Sequence, residues 1–141
     1  DNVPITKEYL ENSLTEAKDL FRDNYQDQEI IHMIIKKYFI NGNTYSLFDK
    51  SLKCDHLGLE IQFKSISNNI TYNLNRILEN YQIKIIKYLD ATYVKSNFDE
   101  DKELVEMSYR VLSGHNQNEV MFVPKSIKKL AFFEKFFQLF S

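Results

Sequence analysis

Three histidines, one cysteine and twenty acidic residues are the side chains in this 141-residue sequence with types suited to acid–base, nucleophilic or metal chemistry. Their spacing decides how much of that chemistry remains open. Cys54-Asp55-His56 puts two metal-binding side chains within three residues, but a zinc site needs three or four converging donors and nothing else stands at a ligand spacing. The three therefore read as loop residues. His32 lies inside an apolar run, where a hydrogen-bonded interior or edge imidazole is expected in place of a general base. His115 belongs to the polar stretch His115-Asn116-Gln117-Asn118 and reads as exposed. Asp99, Glu100, Asp101 and Glu103 fit the solvated start of a helix, which its dipole favours, and not an acid/base pair. No nucleophile elbow, H-E-x-x-H or Ser/His/Asp spacing occurs, and the three glycines (Gly42, Gly58, Gly114) leave no phosphate-cradling loop. No catalytic residue, metal or cofactor is assigned, so the expectation is a protein that is not an enzyme. A small binding domain or enzyme would have to draw on His32, Tyr38, Cys54 and His56, brought together by the fold.

The elements that would position these groups can be read from periodicity. Thr6 can cap a helix from Lys7 to about Phe21, in which Leu10, Leu14, Ala17 and Phe21 form one stripe and Lys7, Glu8, Glu11, Lys18 and Asp19 are solvated. After a polar break over Arg22–Gln28, Glu29 to Ile40 reads as a strand so apolar that both faces are covered along part of it. Asn41-Gly42-Asn43 is a turn, and Thr44 to His56 a loop with a short extended piece. Leu57 to Lys64 alternates strictly, with Leu57, Leu59, Ile61 and Phe63 toward the core. Ser67 or Asn68 caps a helix with Ile70, Leu74, Ile77 and Tyr81 at 4-3-4 spacing. Ile83 to Val94 reads as strand-rich, with Ile83, Ile85 and Tyr88 inward. The fold class is α+β, a mainly antiparallel sheet with helices packed on one face.

Residues 1–96 make up that module; residues 97–123 add a helix through Leu104, Met107 or Ser108, and Val111 to a stop at Gly114, then a short strand over Glu119–Val123. Residues 124–141 form an amphipathic helix. Leu130, Phe132, Phe133, Phe136, Phe137, Leu139 and Phe140 fill about half of its circumference, with Lys128, Glu134, Lys135 and Gln138 on the opposite arc, Lys125 flanking, and Lys129 intruding on the apolar side. Such a helix can pack on its own domain, on another chain, or in the headgroup layer of an anionic membrane. The near balance of 18 basic and 20 acidic residues argues against a nucleic-acid surface, although Lys36-Lys37-Tyr38-Phe39 interleaves basic and aromatic types. No signal peptide is read at Asp1-Asn2-Val3-Pro4, and the compartment expected is cytoplasmic.

The order of short phrases resembles one family. Ile5-Thr6-Lys7 opening a helix through Leu14-Thr15-Glu16-Ala17-Lys18, then Glu29-Ile30-Ile31-His32, Tyr38-Phe39-Ile40-Asn41-Gly42, Leu57-Gly58-Leu59-Glu60-Ile61-Gln62-Phe63 and Ile83-Lys84-Ile85, is similar to the strand–helix–strand–strand module inserted in the bacterial cell-division protein FtsA. The resemblance covers about residues 5–95. FtsA proteins also end in an amphipathic helix that tethers the division ring to the inner membrane face, and residues 125–140 look like such a helix. The glycine-rich actin-like ATPase core of that family is absent from this sequence, and residues 97–123 do not match the family's continuation, so nucleotide binding is not carried over. The resemblance implies a non-enzymatic adaptor that binds division-type protein partners and attaches peripherally to the membrane. The alternative is a structural subunit of an oligomeric assembly whose phenylalanine-rich helix docks on another chain.

Overall fold

The computed structural model describes residues 3–4, 7–49, 51, 53–100 and 102–122. In chain order the elements are β1 (Val3–Pro4), α1 (Lys7–Asn24), β2 (Gln28–Ile40), β3 (Asn43–Tyr45), β4 (Lys53–Cys54), β5 (Leu57–Ser67), α2 (Asn68–Glu79), α3 (Ala91–Ser96) and α4 (Leu104–Leu112). The architecture is α+β: an antiparallel sheet in the order β3-β2-β5, a separate antiparallel pair β1-β4, and four helices. The amphipathic helix expected over 124–141 lies outside the described residues, and so do Lys125, Lys128, Leu130, Phe132, Phe133, Phe136, Phe137, Leu139 and Phe140.

Everything is built on β2. Ile30 to Ile35 are all buried, so this stretch is covered on both faces, as an uninterrupted apolar run requires. Pairing with β5 sets Met33 opposite Phe63, Ile35 opposite Ile61 and Tyr38 opposite Leu59 on one face. The α1 stripe packs on that side: Leu10 and Leu14 are buried, and Phe21 stacks on Phe63 with ring centroids 4.7 Å apart. The register slips between Ile30 and His32 and again between Ile35 and Lys37. A strand alternates faces at every residue, so each slip resets the alternation. The second one turns Lys36 and Lys37 out together and brings Tyr38 and Ile40 inward with Ile35.

Local chemistry sets the turns. Asn41 and Gly42 have φ of 51° and 82°, the pair of left-handed residues that a two-residue hairpin between β2 and β3 needs. The Asn41 side chain also donates to the Lys53 carbonyl at 2.7 Å, tying β4 to the hairpin. α4 ends where His115 N–H reaches the Arg110 carbonyl (3.1 Å) and Gly114 N–H the Val111 carbonyl (3.0 Å), a Schellman closure with Gly114 at φ 86°.

Four local expectations need correction. α1 runs on to Asn24, because nothing in Arg22-Asp23-Asn24 breaks the ladder and Tyr25 N–H still reaches the Phe21 carbonyl. Lys18, expected in water, is buried. Asp99 and Glu100 lie exposed in a bend, and α4 starts only at Leu104. The strand read over Ile83–Val94 does not form: 83–90 is irregular, Ile83 is exposed, and α3 follows, capped by the Asp90 carboxylate that accepts from Tyr93 N–H at 2.7 Å. An aspartate cap outweighs the strand-like alternation before it, since the described sheet offers this stretch no neighbouring strand.

Two stability effects follow. Gln82 closes the turn after α2 at φ 58°, with its N–H on the Glu79 carbonyl and Ile83 N–H on that of Leu78. A side chain there is strained, so Gln82→Gly should raise stability by up to about 1 kcal/mol in urea unfolding. The Tyr88 hydroxyl is buried without a hydrogen-bond partner among the described residues. Tyr88→Phe should accordingly hold or gain about 1 kcal/mol, whereas a loss would show that the hydroxyl is satisfied.

Candidate functional site

The histidine that the sequence sets in an apolar strand becomes the hub of a sealed polar cluster. His32 is 0% and Glu119 1% exposed, and His32 Nδ1 lies 2.7 Å from Glu119 Oε1. The Asp90 peptide N–H donates to His32 Nε2 at 2.9 Å, which places the ring proton on Nδ1, donating to the carboxylate. The other carboxylate oxygen accepts from Met33 N–H at 3.1 Å, and Met121 N–H also donates to the group. Tyr93 and Phe122 enclose the imidazole with ring centroids 4.4 and 5.6 Å away. Burial pushes the Glu119 carboxyl above the usual carboxylate range, against the opposing pull of its donors. Burial, and then the nearby Glu119 charge, likewise raise the Tyr93 phenol. Each polar atom of the His32–Glu119 pair has a partner and is closed from solvent, so the cluster acts as a clasp joining β2, the α3 start and residues 119–121.

The other candidate groups are not assembled. His32 pairs with Lys64 and Tyr38 with Leu59; those β5 partners differ by an odd number of positions, so the two side chains leave opposite faces of the sheet. Cys54, read as a loop residue, is instead buried in the core cluster on β4, whereas His56 is exposed. His115 is exposed and stacks on Phe98 at 4.5 Å, with the Arg110 guanidinium 5.5 Å from the same ring. Among the described residues no three His, Cys, Asp or Glu side chains converge on a metal position.

Exposed apolar surface lies on α4, through Val105, Tyr109 and Leu112, and on α2. Ser67 caps the helix through Asn69 N–H, and the Asn68 N–H and side-chain amide hold its start against the Asp27 and Gln26 carbonyls. Thr71 is buried and Leu78 half-buried, so that side meets the body. The apolar stripe sits about 80° further round the helix. Ile70, Leu74, Ile77 and Tyr81 are 50%, 40%, 52% and 72% exposed, and Ile86 beyond them is exposed as well. Sequence periodicity identifies the stripe and assigns it to a core; the tertiary structure leaves it uncovered among the described residues. Scattered apolar residues are ordinary on a surface, but Ile70, Leu74 and Ile77 share one face of α2, and Tyr81 follows in the turn after Glu79, where the sequence pattern continues the helix. No described helix is long and apolar enough to cross a membrane.

The sequence presents Glu119 only as the first residue of a short strand over Glu119–Val123. No strand forms there among the described residues; Glu119 makes an isolated antiparallel bridge to Ile34, with Ile35 N–H on the Asn118 carbonyl and Val120 N–H on that of Met33, both at 2.9 Å. No local signal pairs Glu119 with His32, 87 positions away; an isolated acid and an isolated histidine, each in an apolar run, are the only hint.

Comparison with protein-family models, with curated proteins and with solved structures finds no match to this chain.

The clasp has a pH signature. With its carboxyl raised above 4.5, folded Glu119 holds more proton than the unfolded chain, so its contribution to stability falls as pH rises from about 4.5 through the raised value. Glu119→Gln cannot ionise and sets an amide NH₂ among donors, costing about 1–3 kcal/mol. In urea unfolding from pH 4.5 upward, the stability gap between parent and Glu119→Gln should narrow. A widening gap would show that the folded site favours the ionised carboxylate.

Proposed function

We propose that this protein is a non-enzymatic adaptor, similar to the FtsA module with its tethering helix, that binds protein partners through exposed apolar faces and attaches to the inner face of a membrane through residues 125–140. The observation that carries the reading is the exposed α2 stripe: a helix face of Ile70, Leu74 and Ile77, continued by Tyr81 in the turn beyond, has the chemistry of a partner site and none of the chemistry of a reaction. The sealed His32–Glu119 pair supports it too, since its donors and acceptors are occupied internally. The attaching element in this reading is the stripe of Leu130, Phe132, Phe133, Phe136, Phe137, Leu139 and Phe140, with Lys125 and Lys128 toward anionic headgroups. Protein partners of the cell-division type and a cytoplasmic, peripheral location belong to the same proposal.

The α2 stripe favours a second reading as well, a structural subunit of an assembly. There the same phenylalanines dock on a neighbouring chain and lipid plays no part.

One pair of measurements separates them. Sedimentation of the full chain with vesicles of phosphatidylcholine and phosphatidylglycerol should show binding that falls more than about a hundredfold in Phe133→Ser/Phe136→Ser/Phe137→Ser, because each buried ring contributes roughly 1.5–3 kcal/mol. Absence of vesicle binding in the parent chain, with a stable oligomer by light scattering that the triple variant dissociates, would replace the adaptor by the assembly subunit.

A further inference from the structure

We infer that residues 125–140 dock on the exposed stripe of α2 within the same chain, so that two apolar faces cover each other until a partner or a membrane competes for the segment. The inference rests on the reading of that segment as the attaching element and adds its regulation.

The geometry of the chain path points to this occupant. Residues 118–120 run antiparallel to β2, from Ile35 back toward Ile30. Met121 then lines one surface groove with Ile30, Tyr25 and Asn68, the first residue of α2. The described residues therefore end close to the foot of α2, one residue past Met121. Residues 123–129 can reach about 23 Å when extended. That exceeds the roughly 18 Å length of α2, so the segment can lie along the helix in either direction.

The two patterns also fit in spacing. Ile70 to Ile77 spans about 10 Å of α2, with Tyr81 in the turn beyond it, and Leu130 to Phe140 would span about 15 Å as a helix. Ile70, Leu74 and Ile77 step by 4-3 along α2, while Leu130, Phe133, Phe137 and Phe140 step by 3-4-3, so the segment, if helical, presents complementary rows. Tethering then favours this occupant over a second copy. A connection of about seven residues sets an effective concentration on the order of millimolar, far above that of another molecule in dilute solution.

The test uses the full chain. A nitroxide is attached at Asn73→Cys, an exposed position beside the stripe, while the buried Cys54 is shielded from the reagent. The expected result is loss of the Phe133, Phe136 and Phe137 NMR signals to the same extent at all protein concentrations. No loss, or loss that appears only between a labelled copy and a second, isotope-enriched copy, would overturn the inference; the latter outcome assigns the stripe to a dimer. In a second arm, Leu74→Asp should raise partitioning onto phosphatidylcholine–phosphatidylglycerol vesicles by about tenfold, the factor set by one leucine contact. Equal partitioning would overturn the competition. Vesicle binding without signal loss refutes the docking and leaves the attachment reading standing. Signal loss without vesicle binding, in the parent and Leu74→Asp alike, does the reverse.

Discussion

The constraint on which the structure depends is that β2 is buried on both faces over Ile30–Ile35 while carrying a histidine in the middle of that stretch. A buried imidazole without partners would cost several kcal/mol, so the fold must deliver one acceptor and one donor to it. The acceptor is Glu119 and the donor the Asp90 peptide, which arrive from distant parts of the chain. Meeting this demand fixes where α3 begins and where residues 118–122 lie. The carboxylate then needs donors of its own, and the backbone of Met33 and Met121 supplies them. A polar network of this kind tolerates no loose member, since removing either side chain strands the other in a dry interior.

Around that clasp the two faces of β2 are closed by different means. On the α1 face the covering is apolar stacking, with Phe21 on Phe63 and Leu10 and Leu14 buried beside Met33 and Ile35. On the other it is polar and aromatic together, through His32, Tyr93 and Phe122. α2 shares in neither layer with its apolar stripe, because the side of the helix that meets the body carries Thr71 and Leu78. The amphipathic pattern that would ordinarily mark a core helix is turned about a quarter of the way toward solvent. Exposed apolar faces, Ile70, Leu74 and Ile77 on α2 and Val105, Tyr109 and Leu112 on α4, are the feature from which the proposed adaptor role grows.

Particular elements show how far the primary structure could be read. α1, β2, β5 and the Ser67 cap lie close to where periodicity and capping chemistry place them, because each has a strong local signal: a helical stripe, a β-branched run, a strict alternation, a hydroxyl ahead of an apolar repeat. Ile83–Val94 was misread because alternation over a short stretch is satisfied by irregular chain as well as by strand, and its Asp90 cap is a single residue. The Lys36–Lys37 irregularity was invisible, since a bulge needs a partner strand to define it. The polar neighbours of Cys54 give it the local signature of a loop residue, whereas the fold pairs it with β1 and buries its side chain in the core cluster.

What the sequence determined by itself is the fold class, the major helix and strands, and the presence of apolar stripes in excess of one small sheet's needs. Those are consequences of local periodicity, which neighbouring residues carry among themselves. Only the tertiary structure decided that His32 and Glu119 meet, that Tyr38 and His32 part to opposite faces, and that the other described residues leave the α2 stripe uncovered. Each of those outcomes depends on which segments the folded chain brings side by side, a relation between residues tens of positions apart that no local pattern encodes.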